Sequence, residues 1–174
     1  MTWSIRRLTR HDFDAYLAIR LEALRDYPES YGTAPDSFAA RPLDAVQTML
    51  DRMAVFGVVT AEGALAGIVA YARDDGERET HRGWLLQVYV RPEMRGSGAA
   101  LALLEAAVAH ARSEVIQLHL MVGAHNAPAI RLYEKAGFKT YGTDPRCLYV
   151  NGRYIDEHMM VRFLDEAPGK QENE

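Results

Sequence analysis

Apolar residues near the start of the chain follow first the spacing of a strand and then that of a helix. Residues 3–8 read as a short strand, and Thr9 and Asp12 have the spacing of a capping box. Pro28 ends the predicted helix, because proline disfavours the helical conformation of the residue before it. The apolar face of this helix recurs at intervals of three and four residues, at Phe13, Leu17, Leu21 and Leu24.

The following segment predicts a second helix and then a hairpin. Residues 29–40 are mixed and aromatic and show no regular period, whereas Pro42 suits the first turn of a helix. Two β-rich runs come next, at 55–60 and 65–73, and the turn between them contains Gly63. The apolar positions of the second helix are Leu43, Val46, Leu50 and Met53.

The second half of the chain alternates strands and helices and closes with another hairpin. After a polar loop, the pattern predicts a strand, an alanine-rich helix, a strand and a helix, at 84–90, 98–112, 116–122 and 127–136. Near the end, the runs 146–150 and 153–163 flank Asn151-Gly152, a dipeptide typical of two-residue hairpin turns. An antiparallel hairpin followed by β-α-β-α predicts a mixed α and β fold.

Length and composition indicate one domain. The chain has 174 residues without a break in composition, which suits a single domain at 1–164 followed by a polar C-terminal tail at 165–174. Hydrophobic residues make up 48% and charged residues 25%, the usual proportions of globular proteins. The composition therefore favours neither a disordered nor a membrane protein.

Charge and cysteine content exclude several classes of partner. A formal charge of -4 argues against a general nucleic-acid binder, because phosphate neutralisation requires a basic surface. The single cysteine, Cys147, excludes an internal disulfide and a cysteine-based zinc site, and no metal is expected. Since no signal peptide or membrane-spanning run is present, we expect a cytoplasmic protein that does not contact the membrane.

One loop can hold a phosphate in spite of the negative net charge. Residues 88–100 read as a strand, a glycine-containing loop and a helix, and a helix N-terminus offers unpaired N–H groups and a positive dipole end. Glycines at 96 and 98 permit close approach of a pyrophosphate, and Arg95 can add charged hydrogen bonds. The residues fit neither a Walker loop nor a dinucleotide fingerprint, although a simple tight turn stays open as an alternative.

A second motif follows about thirty residues later. Asn126 is a good N-cap, Pro128 lies in the first turn and Gly137 suits the residue after the helix. Asn126 and Tyr133 are seven positions apart, close to two helical turns, so both side chains can lie on one side of the helix. A core tyrosine on an amphipathic helix is the plainer alternative for Tyr133.

Together the two motifs resemble the signatures of the GNAT superfamily of N-acetyltransferases, in particular its bacterial members. The run Arg95-Gly96-Ser97-Gly98-Ala99-Ala100 is similar to the family's Arg/Gln-x-x-Gly-x-Gly/Ala loop. The second signature, Asn-x-x-Ala-x-x-Leu-Tyr-x-x-x-Gly-Phe, is matched at Asn126, Ala129, Leu132, Tyr133, Gly137 and Phe138. The resemblance implies an α+β fold with a central, mostly antiparallel mixed sheet of about seven strands, splayed between strands 4 and 5 and flanked by about four helices.

The resemblance also implies acetyl-CoA as cosubstrate and assigns its binding residues. The pantetheine arm would pair with the backbone of strand four and contact Asn126, and the oxyanion of the reaction would meet a main-chain N–H near Val88 or Tyr89. The residues implied to bind the coenzyme are Val88, Tyr89, Val90, Arg95, Gly96, Ser97, Gly98, Ala99, Ala100, Asn126, Ala129, Tyr133 and Lys135.

Catalysis requires an acid and a base. Tyr133 would lie near the coenzyme sulfur, where a phenol of pKa about 10 stays protonated and can protonate the departing thiolate. Relatives often carry a carboxylate on strand four, whereas this chain has Gln87, which cannot accept a proton. His81 is the substitute predicted here, with Glu22 a weaker candidate, and both could equally be solvated surface residues.

The acceptor is expected to be a primary amine of a small molecule or peptide. The resemblance places Tyr31, Phe38, Tyr149 and Tyr154 around it, although each aromatic ring could serve core or hairpin packing instead. The segment 141–146 resembles the corresponding segment of bacterial family members whose substrate is undefined, so it does not identify the reaction. A non-catalytic acetyl-CoA sensor or interaction module is the alternative function, and the sequence leaves a homodimer open.

Overall fold

Seven strands form one sheet in a computed structural model that describes residues 2–165. Their spatial order is β1-β2-β3-β4-β5-β7-β6. All neighbouring pairs are antiparallel except β4 and β5, which are parallel. The strands are β1 (Trp3–Arg7), β2 (Ala54–Thr60), β3 (Leu65–Arg73), β4 (Arg82–Val90), β5 (Gln117–Gly123), β6 (Lys139–Val150) and β7 (Arg153–Phe163).

Five α-helices flank this sheet within residues 2–165, one more than the sequence predicts. The extra helix, α2, has only five residues and begins with a proline in its first turn, so it is too short to show an apolar period. Three 3-10 turns lie at Arg10–Asp12, Pro28–Ser30 and Pro92–Met94. The helices are α1 (Phe13–Asp26), α2 (Pro35–Ala39), α3 (Leu43–Arg52), α4 (Ala99–Ala111) and α5 (Ala127–Lys135).

The two faces of the sheet have separate cores because β3 is apolar on both sides. Ala66, Val69 and Tyr71 of β3 pack in the core beneath α4, together with Leu103 and Leu104 of that helix. Leu65, Ile68 and Ala70 pack on the opposite face, beneath α1, α2 and α3. A strand covered on both faces has a continuous apolar sequence, as seen here.

Helix α1 confirms the predicted start and corrects the predicted apolar face. Thr9 and Asp12 form the capping box. The buried residues of α1 are Tyr16, Ile19, Arg20, Ala23 and Leu24, and the predicted Phe13, Leu17 and Leu21 are only partly buried. The helix is rotated from the prediction because polar Tyr16 and Arg20 occupy positions on the buried face.

Strand β6 is longer than the predicted 146–150. Its first half, from Lys139, is largely exposed and contains Pro145, so it shows neither alternation nor typical strand composition. A sheet edge tolerates this proline, because one side of an edge strand is unpaired, and β6 is the last strand in the order. The predicted tail lies outside the described residues except for Asp165.

The parallel strands β4 and β5 pair only over their first three residues. The pairs run from Arg82 with Gln117 to Trp84 with His119, and the strands then separate. Further along β4, the register with β3 shifts, and Gln87 has a φ of 58°, which together mark a β-bulge at Gln87 and Val88. The predicted splay between strands 4 and 5 is confirmed. No helix within residues 2–165 has both the length and the apolarity to cross a membrane.

Candidate active site

The gap between β4 and β5 contains a cavity of about 1180 Å³. Its walls are the second half of β4, the end of β5, the first turns of α4 and α5, and the connection from α1 to α2. Residues 84–90 line one side, and 121–123 line the other. A cleft at the point where parallel strands part is a common place for a ligand in mixed sheets.

One end of the cavity is the glycine loop before α4. Gly96 and Gly98 have φ values of 76° and 85°, and a Cβ added at either position would meet nothing within 4 Å. The loop therefore exposes its backbone to open space next to the unpaired N–H groups of the helix start. Arg95, Gly96 and Ala100 line the cavity, whereas Ser97 instead donates a hydrogen bond to the Met94 carbonyl at 2.6 Å.

The remaining loop residues lie just behind this wall. Gly98 is the N-cap of α4 and Ala99 is fully buried beneath it, with the Ala99 N–H donating to Ser97 Oγ at 3.3 Å. The Arg95 guanidinium is held at the cavity by a 2.6 Å hydrogen bond to Tyr27 Oη and lies over the Tyr27 ring. A fixed cation thus stands beside the helix N-terminus, as an anion site requires.

Two tyrosines form hydrogen bonds to the bulge of β4. Tyr16 Oη donates to Gln87 Oε1 at 2.8 Å, and Tyr31 Oη donates to the Val88 carbonyl at 2.8 Å. Burial raises the pKa of Tyr31 to about 12, so its hydroxyl remains a donor at physiological pH. The side chain of Tyr89 packs in the core beneath α1, and its hydroxyl is bonded to Glu22, so its backbone is the part of Tyr89 that we expect a ligand to meet.

Helix α5 brings its motif residues to the opposite wall. Asn126 caps the helix by accepting from the Ala129 N–H at 3.3 Å, and both residues line the cavity. Tyr133 is 7% exposed and lines the same cavity, and its hydroxyl forms no hydrogen bond within residues 2–165. Burial, and secondarily the nearby Tyr31, raise the pKa of Tyr133 well above its ordinary value. Lys135 is exposed near the end of α5 and is not brought to the cavity.

His81 is not brought to the cavity either. It is exposed immediately before β4, and its carbonyl accepts hydrogen bonds from the N–H groups of Ile116 and Gln117. Seven residues of strand separate it from Val88, a distance of roughly 23 Å. The sequence placed His81 near the site because it precedes strand four, but the cavity opens at the far end of that strand.

Glu22 is occupied by an ion pair. Arg91 Nη2 contacts Glu22 Oε2 at 2.7 Å, and Tyr89 Oη donates to Glu22 Oε1 at 2.8 Å. The pKa of Glu22 is lowered, mainly because Arg91 donates hydrogen bonds to its carboxylate. Glu22 does not line the cavity and is already paired, so the structure does not place it as a base.

Of the four aromatic residues predicted around the acceptor, only Tyr31 lines the cavity. Phe38 is 3% exposed in the core formed with α1 and α3. Tyr149 and Tyr154 are 67% and 61% exposed and form a cross-strand pair with ring centroids 4.9 Å apart. The packing alternatives therefore describe these three rings, because aromatic residues stabilise cores and antiparallel pairs as readily as sites.

The cavity wall also contains polar residues that the sequence analysis missed. Arg20 of α1 and Glu157 of β7 are 5% and 8% exposed, and His125 stands between β5 and α5. His125 Nε2 lies 3.4 Å from Glu29 Oε2, and Glu29 also pairs with Arg153. A polar residue at an inward-facing position could have signalled Glu157, which shares the buried face of β7 with Ile155.

No group of three His, Cys, Asp or Glu side chains within residues 2–165 is arranged to hold a metal ion. The polar groups of the cavity include phenols, amides, two guanidinium groups, an imidazole and carboxylates. Such groups bind by hydrogen bonds and transfer protons.

Comparisons with known proteins agree with this geometry. The chain is 32% identical over 173 residues to an L-methionine sulfoximine/L-methionine sulfone acetyltransferase of Pseudomonas aeruginosa, covering 95% of this chain and 96% of that protein. It is 34% identical over 83 residues to spermidine N(1)-acetyltransferase of Vibrio cholerae, covering 46% and 47%. A structure of yncA, a putative acetyltransferase from Salmonella typhimurium with its cofactor acetyl-CoA, has a TM-score of 0.82 at 19% identity and covers 99% and 100%.

The family assignment rests on the length of these matches. The profile of the Acetyltransferase (GNAT) family matches residues 16–138, which include both sequence motifs and both parting strands. The match to the Pseudomonas acetyltransferase covers nearly all of each chain, which favours an enzyme over a non-catalytic sensor. The chain belongs to the GNAT family and is an acetyl-CoA-dependent N-acetyltransferase.

Proposed function

We propose that this enzyme acetylates the primary amine of a small molecule by direct attack on acetyl-CoA in the cavity between β4 and β5. The observation that carries the proposal is Tyr133, a buried phenol without a hydrogen-bond partner within residues 2–165, on the wall of a cavity that begins at the glycine loop. The Tyr133 hydroxyl is not among the fully enclosed polar atoms, so it faces the cavity and is free to donate a hydrogen bond to a ligand there.

The coenzyme would lie along the cavity from the glycine loop to Tyr133. The loop 96–100 and Arg95 would bind the pyrophosphate at the N-terminus of α4. The pantetheine arm would pass between β4, at Val88 to Val90, and the cap of α5 at Asn126. Gln87 and Val88 form the bulge and have no register partner on β3. Their backbone N–H groups would therefore be available to stabilise the oxyanion.

Glu157 is the proton acceptor that the cavity supports best. Three carboxylates line the cavity, and Glu29 is paired with Arg153 while Asp26 is exposed at the end of α1. Glu157 is buried, has no cationic partner within residues 2–165, and accepts a hydrogen bond from the Cys147 thiol at 3.1 Å. It lies opposite Gly123, at the end of β5 where that strand has left β4.

The proposed reaction balances without another reactant. The acceptor ammonium gives one proton to Glu157, directly or through water, and the free amine attacks the thioester carbonyl carbon. A C–N bond forms and gives a tetrahedral intermediate, whose C–S bond breaks as Tyr133 gives its proton to the departing thiolate. The second amine proton then passes to the Tyr133 phenolate, directly or through water, and Glu157 releases its proton to solvent, so the products are the N-acetylated amine, CoA and one proton.

The similar proteins support a small amine as acceptor. The Pseudomonas protein is named for methionine sulfoximine and methionine sulfone, and the Vibrio protein for spermidine, all of which carry a primary amine. A cavity of about 1180 Å³ has room for the coenzyme arm and a small acceptor.

Thiol release from acetyl-CoA tests this proposal. The wild-type protein and Glu157→Gln are assayed with methionine sulfone, spermidine, aromatic amines and short peptides, and products are identified by mass. We expect acetylated product from a small amine and a rate at pH 7 at least tenfold lower for Glu157→Gln, because glutamine cannot accept a proton. The deficit should shrink towards pH 10, where the amine itself loses its proton in solution.

The control is Glu62→Gln, which changes the same group in the exposed turn between β2 and β3 and should retain the wild-type rate. An equal deficit for Glu157→Gln at pH 7 and pH 10 would indicate a structural role and contradict the base assignment. Acetylation of peptides alone, with no small amine turned over, would contradict the proposed acceptor class.

A further inference from the structure

Arg20 is a buried guanidinium without a counter-ion within residues 2–165. The residue is 5% exposed, and its Nη1 atom is fully enclosed with no hydrogen-bond partner. Burial is the main cause that lowers the pKa of Arg20. The charged or titratable groups that also act on this pKa are Tyr31, Tyr16 and a second cation, Arg41. No carboxylate is among them. An arginine remains charged in proteins, so the charge stays uncompensated.

The contact that Arg20 does make leaves its hydrogen bonds free. Its Cζ atom lies 4.6 Å from the centre of the Tyr31 ring, as in a cation–π pair. This contact fixes the guanidinium plane but satisfies none of its N–H donors. Burying an unpaired charge is costly, and a ligand that supplied the missing partner would remove that cost.

The position of Arg20 separates it from the coenzyme phosphates. Arg20 and Arg95 both line the cavity, but Arg95 is tied to the Val90 end of β4 by a 3.4 Å hydrogen bond to that carbonyl. Arg20 is one helical turn from Tyr16, which bonds Gln87, and it stacks on Tyr31, which bonds Val88. The free guanidinium therefore stands at the bulge, where the acceptor meets the thioester, and not at the phosphate loop.

We propose that Arg20 binds a carboxylate of the acceptor, so that the substrate is a small amino acid carrying both an amine and a carboxylate. This inference rests on the proposed function, since it places the acceptor in the same cavity. The Nε and Nη2 edge of the guanidinium is not enclosed as Nη1 is, and it presents two parallel N–H donors that match a carboxylate and orient the acceptor. Arg41 adds positive charge on the same side, whereas Glu157 offers a proton acceptor for the amine end.

Paired acceptors with and without the carboxylate test the inference. Methionine sulfone, glutamate and β-alanine are each compared with the corresponding carboxamide, by kcat/KM and by calorimetric binding to the CoA complex. We expect at least one acid to exceed its amide by about 100-fold or more, consistent with a charged, desolvated contact. In Arg20→Met this ratio should fall to within about threefold of unity, while acetyl-CoA affinity stays within threefold of wild type.

Two further variants and an unfolding measurement separate binding from folding. Arg25→Met removes an exposed arginine from the same helix and should keep the wild-type ratio. Arg20→Met should unfold at the same or a higher temperature, because it removes an unpaired buried charge, whereas a purely structural role predicts a lower temperature. Arg20→Lys retains the charge but not the two parallel donors, and an intermediate ratio is expected.

The possible failures are distinct. Turnover of carboxylate-free amines as well as of their acids, or an unchanged ratio in Arg20→Met, overturns the carboxylate assignment while the acetyltransferase proposal stands. A tenfold loss of acetyl-CoA affinity in Arg20→Met with no change in the ratio assigns Arg20 to the coenzyme and also overturns it. Absence of both turnover and binding for every small amine contradicts the proposed function itself, and with it this inference.

Discussion

Replacing Tyr133 by phenylalanine should lower kcat at least tenfold and leave the affinity for acetyl-CoA within about threefold of wild type. The tenfold loss corresponds to about 1.4 kcal/mol of barrier. Phenylalanine keeps the ring, which packs at 6.4 Å from Phe138, and removes only the hydroxyl that would protonate the thiolate. Steady-state kinetics together with calorimetry of acetyl-CoA binding measure the two quantities.

The pH dependence sharpens this expectation. Because burial raises the pKa of Tyr133 above its ordinary value of 10, the phenol keeps its proton throughout the working range. The wild-type rate should therefore show no descending limb from Tyr133 below about pH 10, and the deficit of Tyr133→Phe should be constant from pH 7 to 9. Tyr154→Phe, at an exposed hairpin position, is the matched control. An unchanged kcat for Tyr133→Phe would remove its role as general acid.

Gly98→Glu should weaken acetyl-CoA binding at least 100-fold, or about 2.7 kcal/mol. Gly98 has a φ of 85°, and a side chain there would extend into the open space at the start of α4. The added carboxylate would occupy this space with negative charge where we expect the pyrophosphate, and would neutralise the favourable field of the helix N-terminus. Calorimetry with CoA and acetyl-CoA measures the loss.

Two further substitutions separate charge from backbone strain. Gly98→Ala imposes the same unfavourable φ without the charge, and it should weaken binding by no more than about tenfold. Gly63→Glu introduces the same residue at the same φ of 85°, also with nothing within 4 Å, in a hairpin turn away from the cavity, and should leave binding unchanged. Retention of wild-type affinity in Gly98→Glu would contradict the assignment of the phosphate loop.

The elements that could be predicted are those whose pattern is local. The bounds of β3 and β7 agree with the prediction at both ends, because β3 is an uninterrupted apolar run and β7 follows an Asn-Gly turn. The start of β6 could not be predicted, because it depends on the pairing of Lys139 with the distant Val161 of β7 and not on its own polar, proline-containing sequence.

The candidate site residues could likewise be predicted only where their sequence pattern is local. The glycine loop and the Asn126 cap carry short-range signals, and the structure places both on the cavity wall. Arg20 carries no local signal, since it becomes a candidate only when its side chain is known to be buried and unpaired. Glu157 carries only the signal of a polar residue at an inward-facing strand position. The aromatic site residues could not be predicted, because aromaticity does not distinguish a core residue such as Phe38 from a wall residue such as Tyr31.

A crystal structure of the enzyme with CoA tests the central claim most directly. We expect the pyrophosphate on the backbone N–H groups of the loop 96–100, the pantetheine arm between β4 and β5, and the sulfur in hydrogen-bond contact with Tyr133 Oη. A coenzyme bound outside the gap between these strands, or a Tyr133 hydroxyl turned away from the sulfur, would contradict the proposed mechanism.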